Sequence, residues 1–481
     1  MKPARTRFAP SPTGALHCGV VRTALYAWLL AKQSDGQFLL RIEDTDQKRE
    51  VEGGLENIKE TLRWLGLNWD EGPDIGGPYA PYIQSQRLAI YKEYAQELLD
   101  KGLAYADPHS KEELEALREK AKAEKRPFLF RDYRPENPPA WDGSQPLRIK
   151  LEPKAWSWHD AVMGDVSLGP EMIDDYIIIK ADGFPTYNFC HIIDDYLMKI
   201  THVMRSQEFI SSIPKFLAAH EALGLTPPIN ATLPQVMDET GRAKLSKRKG
   251  AKPVLHYRDQ GFLPEAMLDF LATIGWNDGT EQESFTVDEL IQKFSLERVH
   301  RSGGIFNEQR LVWLNGLHIR KLSLDTLYER SRTFWPAEAA GQDDAYKKSV
   351  LALVQERLKF FAELPELTNF FFQDLPLNPA LWQDNKQLKK LEPSELRSLL
   401  EQGRAALAAS DFSVDDLTER LNNLLEQTGQ KPGVLFSLIR IATTEAPASP
   451  PLAGTLAVLG KDTSLRRIDA MLASLAPAGQ S

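Results

Sequence analysis

Residues 6–42 hold two short apolar strands separated by one helix-length segment, a spacing that calls for a parallel pair with a helical crossover. Thr6–Ala9 reads as the first strand, and the turn Pro10-Ser11-Pro12-Thr13-Gly14 leads to a helix over Gly19–Ser34. Val20, Val21, Ala24, Leu25 and Trp28 give that helix an apolar face. Phe38–Ile42 is the second strand; it ends at Glu43-Asp44-Thr45-Asp46, and another helix follows around Gly53–Leu65. Polar residues thus collect at strand ends, where open parallel sheets take their ligands, and His17 falls at a helix entrance.

The β-α-β rhythm stops between residues 81 and 172, which contain a helix near Leu88–Lys101, a charged helix near Lys111–Lys125 and the Pro-rich stretch Arg134–Pro146. An insertion is expected there. Strand character returns at Tyr176–Ile179, followed by the turn Asp182-Gly183-Phe184-Pro185, so the nucleotide fold is split and resumes at this point. Beyond Gly250 the chain is mixed and helical to about residue 330, with a helix opening at Leu263-Pro264-Glu265. Longer helices are expected at Val350–Leu364, Ser394–Ala408 and Leu417–Glu426. Ser413 and Asp416 have capping-box spacing, Lys431-Pro432-Gly433 suits a helix stop, and Ala446–Pro451 a stiff connector.

A chain of 481 residues has material for two to four domains, and 42% hydrophobic with 26% charged residues excludes a largely disordered polymer. The net charge of −9 disfavours indiscriminate binding to polyanions, although a specific nucleic-acid enzyme can gather its cations on one face. Cys18 and Cys190, the only two cysteines, are too few for a disulfide framework or a four-cysteine zinc site and suit a reducing compartment. No run approaches the roughly 20 apolar residues needed to cross a bilayer. A cytoplasmic protein with no membrane partner is expected.

His17 at a helix start can donate to a phosphate beside the helix amides, and Gly19 lets the backbone approach that ligand. Lys244 and Lys247, in a short loop flanked by Gly241 and Gly250, can close over a polyphosphate; a basic surface turn is the plain alternative. Arg7, Glu43, Tyr187 and Arg205 each sit at or near a strand end. They can converge as anion receptors (Arg7, Arg205) and ammonium receptors (Glu43, Tyr187), or form an internal salt-bridge network. Glu208 can orient Arg205 or touch a ribose; Asp44, Asp46, Asp194 and Asp195 suit capping or salt bridges better than acid–base work.

These segments resemble the bacterial glutamyl-tRNA synthetases, a class I aminoacyl-tRNA synthetase family. The resemblance runs through Arg7–Gly14, Arg41–Asp46, Trp69–Pro73, Pro185–Phe189, Lys244–Lys249, Gly261–Ala266 and Leu353–Arg357, covering almost the whole chain. His17-Cys18-Gly19-Val20 stands where the family has a His-Ile-Gly-His type signature, and Lys244-Leu245-Ser246-Lys247-Arg248 where it has Lys-Met-Ser-Lys-Ser. By resemblance His17, Gly19, Lys244 and Lys247 assist ATP, and Glu208 keeps a ribose or pocket-ordering role. Arg7 and Arg205 receive the glutamate side-chain carboxylate, Ser11, Glu43 and Tyr187 hold its amino-acid end, and His191 takes a pocket position that is often Asn.

The implied fold class is α/β. A split Rossmann-like parallel-sheet catalytic domain (1–80 and 173–240) carries an α+β acceptor-end-binding insertion (81–172), followed by a mixed lysine-loop and stem-contact region (241–330) and an all-α anticodon-binding region (331–481). The implied reaction ligates L-glutamate to the 3′ end of tRNA(Glu) through glutamyl-adenylate, with ATP as substrate and Mg²⁺ on its phosphates. No zinc is carried over, since the insertion lacks cysteines, and a monomer is implied. Relaxed specificity that also charges tRNA(Gln), and a noncatalytic tRNA-binding regulatory homologue, stay open as alternatives.

Overall fold

The structure is a computed structural model that describes residues 2–245 and 251–475. The chain forms two compact units, Met1–Asp259 with Pro264–Leu314, and Gln260–Leu263 with Asn315–Ser481.

The first unit begins as the spacing requires. Strand β1 (Arg5–Phe8) pairs in parallel with β2 (Gln37–Leu40), Arg5 opposite Gln37 and Phe8 opposite Leu40, and α1 (Cys18–Gln33) makes the crossover. Helix α1 is buried from Ala24 to Ala31 without a break, as a helix apolar on every side must be. Helix α2 (Gly54–Trp64) fastens the Pro/Gly turn: Asn57 Oδ1 accepts from the Leu16 amide at 3.2 Å, and the Val51 amide donates to Pro12 oxygen at 3.0 Å. Gly54 is required there, because a Cβ on it would lie 2.6 Å from Pro12 oxygen.

The insertion contains α3 (Leu88–Asp100), β3 (Ala104–Ala106), α4 (Lys111–Ala123), β4 (Leu147–Ile149) and the hairpin β5 (Trp156–Asp160) and β6 (Gly164–Leu168). Ser110 and Glu113 cap α4 reciprocally. The segment expected to resume the nucleotide fold, β7 (Ile177–Ile179), instead pairs antiparallel with β4 and completes the sheet β3-β4-β7. Its Ile178 and Ile179 bury against Leu147, Ile149, Phe189 and Cys190, a core shared with α5 (Tyr187–Leu197).

Parallel pairing returns at β8 (His202–Ser206) with β9 (Ile229–Leu233), bridged by α6 (Ile213–Leu223). Thr201 joins the two halves: its amide donates to Arg5 oxygen and its Oγ1 accepts from the Arg5 amide, both at 2.8 Å. Strands β2, β1, β8 and β9 therefore lie in that order, and Arg7, Arg41, Glu43, Arg205 and Pro234 collect at their carboxyl ends. The unit continues through β10 (Val236–Met237), α7 (Val254–Asp259), α8 (Pro264–Thr273), α9 (Val287–Lys293), β11 (Gly304–Ile305) and the start of α10 (Glu308–Lys321).

The second unit is helical among its described residues: α11 (Leu324–Ser331), α12 (Asp344–Val354), α13 (Leu364–Phe372), α14 (Ala380–Gln383), α15 (Pro393–Ala408), α16 (Val414–Thr428), α17 (Pro432–Thr444), α18 (Leu452–Leu459) and α19 (Lys461–Ser474). Leu400, Leu417, Leu435, Leu438, Ile468 and Met471 lie at the centre of its core.

Two expectations change here. The helix expected over Val350–Leu364 breaks after Val354, because Phe361 and Ala362 donate their amides to Gly261 and Gln260 oxygens and Pro365 opens α13. Lys431-Pro432-Gly433 starts a helix rather than stopping one: α16 ends at Gly429, whose φ is 64°, and Pro432 is the first residue of α17. Ser413 does cap α16, but the Asp416 carboxylate turns to Ser410 Oγ and the Asp411 amide, so the reciprocal half of the box is absent.

Gly54→Ala should destabilise the protein by about 1–3 kcal/mol, since the methyl group meets backbone that cannot yield as a side chain can. A lowered midpoint in denaturant unfolding checks this.

Candidate functional site

A cavity of about 1130 Å³ opens over the carboxyl ends of the strands. Its walls include Arg7, Ser11, His17, Gly19, Glu43, Tyr187, Arg205, Glu208 and Lys244, so nine positions singled out in the sequence meet in one place. Lys247 lies outside the described residues.

Asp195, on α5, organises the deep end. Its Oδ1 accepts from Arg7 Nε at 3.1 Å and from Arg41 Nη1 at 2.8 Å, and all three side chains are buried. Arg41 also donates to Glu43 Oε1 at 2.9 Å. Burial disfavours the Asp195 anion, yet Arg7, Arg41 and Arg205 outweigh it and hold the carboxyl below the usual carboxylate range. Burial raises Glu43, with Arg41 and Arg7 opposing.

Arg205 is placed differently. It is 7% exposed, its nearest carboxylate oxygen is Asp195 Oδ2 at 4.0 Å, and its Nε is buried without a hydrogen bond. Burial lowers its proton affinity. Phe209 and Phe216 lie 5.7 and 5.1 Å from the guanidinium carbon, providing aromatic contact but no countercharge. The internal network and the receptor are thus one object: Asp195 takes Arg7 and Arg41 closely and leaves Arg205 underpaired at the cavity wall.

His191 stands behind this wall, only 2% exposed and not among the lining residues. Its Nδ1 is 2.7 Å from Tyr187 carbonyl oxygen, an acceptor, so Nδ1 carries the proton and Nε2 accepts from Arg205 Nη1 at 3.4 Å. The ring stacks on Tyr187, with centroids 4.7 Å apart, and meets Phe216 edge-on. Burial and the Arg205 charge push its pKa well below the usual histidine value, which keeps the ring neutral. The structure brings it to Arg205 and Tyr187, not to the cavity surface.

His17 is the N-cap residue of α1, and its carbonyl accepts from the Val20 and Val21 amides at 3.0 and 3.2 Å. A Cβ on Gly19 would lie 3.3 Å from the His17 ring, so the glycine leaves room for both imidazole and ligand. Lys244 Nζ pairs with Glu208. Glu208 therefore holds a lysine rather than orienting Arg205. Both ends of the lysine turn are fixed: Leu245 donates its amide to Val236 oxygen at 2.8 Å, and Val254 donates to Leu16 oxygen at 2.9 Å, beside the bridge between His17 and Pro253.

Of the acidic residues with ambiguous spacing, Asp44 accepts from the Ser85 amide at 2.8 Å, and Asp194 accepts from Gln84, Arg87 and Tyr91. Sequence reasoning missed Arg41 as the partner of Asp195, Arg22 in the cavity wall and Lys180, whose Nζ donates to Thr45 oxygen at 3.2 Å. A buried arginine within an apolar helix was the one legible signal, at Arg22. Among the described residues no group of three or more His, Cys, Asp or Glu side chains is placed to hold a metal, and no helix is long and apolar enough to cross a membrane. Cys18 is buried and its thiol is pushed up to about 12, chiefly by desolvation, so it is no thiolate nucleophile.

Asp195→Asn removes the anion between two buried cations and should cost about 3–5 kcal/mol near neutral pH. An unfolded aspartate takes up a proton near pH 3.9, while native Asp195 stays ionised to lower pH. The unfolded chain then binds the extra proton, so this stabilisation is complete above about pH 4 and declines as pH falls toward the native value. Unfolding curves of the two proteins should converge below about pH 4; a gap independent of pH would contradict this.

Residues 3–313 match the family model described as tRNA synthetases class I (E and Q), catalytic domain, and residues 326–472 the anticodon binding domain. The chain is 40% identical to a glutamate–tRNA ligase of Dehalococcoides mccartyi over 480 residues, 98% of this chain and 97% of that protein. It is also 40% identical to the glutamate–tRNA ligase of Chloroflexus aurantiacus, covering 98% of each. A crystal structure of a glutamate tRNA ligase from Elizabethkingia meningosepticum in complex with its amino acid superposes with a TM-score of 0.87 at 30% identity, covering 99% of this chain and all of the other.

Proposed function

Because this chain belongs to the class I tRNA synthetases of the E and Q group, with an anticodon binding domain following the catalytic one, we propose that it ligates L-glutamate to tRNA(Glu) using ATP. The observation that carries the choice of amino acid is Arg205: a buried, underpaired guanidinium at the wall of a cavity whose other deep cation, Arg7, already shares Asp195. A side-chain carboxylate supplies the missing countercharge with bidentate geometry, which a neutral amide does not.

The chain needs no nucleophile of its own. An oxygen of the glutamate α-carboxylate attacks the α-phosphorus of ATP, the bond to the β-phosphate oxygen breaks, and pyrophosphate leaves. A terminal ribose hydroxyl of the tRNA then attacks the activated carbonyl and AMP leaves with the acyl bond's electrons. In this reading Arg7 and Arg205 fix the side chain, while Ser11, Glu43 and Tyr187 orient the amino-acid end. His191 acts through Arg205. His17 and the α1 amides, opened by Gly19, receive phosphate oxygens. Lys244 leaves Glu208 for the phosphates and Lys247 joins it, freeing Glu208 for the ribose. Mg²⁺ would travel on the ATP phosphates, where it offsets their charge, since this ion is commonly held by substrate phosphates with few protein carboxylates. Residues 81–172 would take the acceptor end, 241–330 the stem and 331–481 the anticodon, by a monomer working in the cytoplasm.

Charging purified tRNA(Glu) and tRNA(Gln) with glutamate and with glutamine tests this. Glutamate on tRNA(Glu) alone is expected. Glutamate on both marks a relaxed enzyme, and glutamine transfer or no transfer by folded protein overturns the reading. Arg205→Gln should raise the KM for glutamate by about 10- to 100-fold, the worth of a charged hydrogen bond, and leave the KM for ATP within about twofold.

A further inference from the structure

Arg22 sits one turn inside α1 from Gly19, on the cavity wall, and is 2% exposed. Its charge has no carboxylate within ion-pair distance among the described residues; both guanidinium ends go to backbone carbonyls instead. Nη1 donates to Ile274 oxygen at 2.9 Å, just past the end of α8, and Nη2 donates to Pro234 oxygen. Tyr26, one turn further along α1, reinforces the first contact by donating to Ala272 and Ile274 oxygens at 2.9 and 3.1 Å. Burying an arginine against two carbonyls, with no countercharge beside it, is costly.

Pro234 leads directly into β10, and β10 carries the limb of the lysine turn. Leu245 donates its amide to Val236 oxygen, and Met237 forms a bridge with Lys244. The path from Arg22 to Lys244 is therefore short and made of backbone: guanidinium, Pro234 carbonyl, β10, Lys244. Its other end is the helix that begins at His17. One side chain ties the two phosphate-handling elements, which are more than two hundred residues apart in the chain, to a common frame.

We propose that Arg22 is a positioning residue that sets Lys244 relative to His17 by pinning the Pro234–Met237 limb to α1. Lysine does not replace it, because one ammonium on a flexible stem lacks the planar fork that spans two carbonyls on separate segments. The inference rests on the reading of Lys244 as an ATP-assisting group, and it deepens that reading with a residue that touches no substrate.

The test is a double-mutant cycle on glutamate-dependent exchange of pyrophosphate into ATP, with tRNA present, for the full chain. Arg22→Lys should lower kcat by about 10- to 100-fold, as misplacement of a catalytic group by about an ångström does, with the KM for glutamate within about twofold. In the Lys244→Ala background the same substitution should lower kcat by less than about twofold, because the group it positions is gone. A residue that merely stabilises the fold would multiply the two losses, or would raise both KM values; either result overturns the proposal. Arg22→Gln, which keeps one donor group without charge, runs beside Arg22→Lys so that one folded variant, judged by its melting temperature, carries the cycle. No exchange by the wild type would overturn the functional reading together with this inference. Multiplied losses in an active wild type overturn the inference alone.

Discussion

One buried carboxylate carries the architecture of the site. Asp195 reaches from α5 to Arg7 on β1 and to Arg41 just past β2, and stands 4.0 Å from Arg205 on β8. It thereby joins the first β-α-β unit to the chain that returns after the insertion. Three guanidinium groups packed around one anion would repel if left alone; Glu43 relieves one by pairing with Arg41. The positive charge that remains unmatched lies toward Arg205, on the cavity side. The ions that tie the strands together also hold an unmatched cation at the deep end of the cavity, a geometry suited to an anion.

The opposite side of the cavity is arranged by α1. Burial of this helix from Ala24 to Ala31 anchors the His17 and Gly19 end, and its two buried polar side chains, Arg22 and Tyr26, reach carbonyls from residues 234 to 274. The guanidinium groups of the deep end and the residues at the start of α1 therefore hang from adjacent strands and the helix between them. That arrangement suits a reaction whose catalysis is alignment of two bound substrates, with no protein nucleophile to activate.

Much of this was legible in the residues. An apolar helix between two short strands dictated the parallel pair, and eleven singled-out positions gave nine cavity-lining residues, with Lys247 outside the described chain. Other features depend on partners remote in sequence. Asp194 and Asp195 are adjacent, yet consecutive helical residues point about 100° apart, and one serves Gln84, Arg87 and Tyr91 while the other serves Arg7 and Arg41. Three isoleucines at β7 announce a buried strand but not its neighbour, which proved to be β4. His191 took its pocket position from the family resemblance, which does not distinguish the front of a wall from its back. No proline or glycine stands between Val354 and Leu364, so periodicity ran the helix through the break, and Pro432 read as a stop although Gly429 already ends α16.

In the proposed reaction Arg205, left underpaired by Asp195, receives the substrate's side-chain carboxylate. A crystal structure of the protein with a non-hydrolysable glutamyl-adenylate analogue tests it most directly. That carboxylate is expected within about 3 Å of the Arg205 guanidinium, with the Arg7–Asp195 and Arg41–Asp195 pairs intact. A side chain directed toward Lys244 or toward solvent, with Arg205 closed onto Asp195, would contradict it.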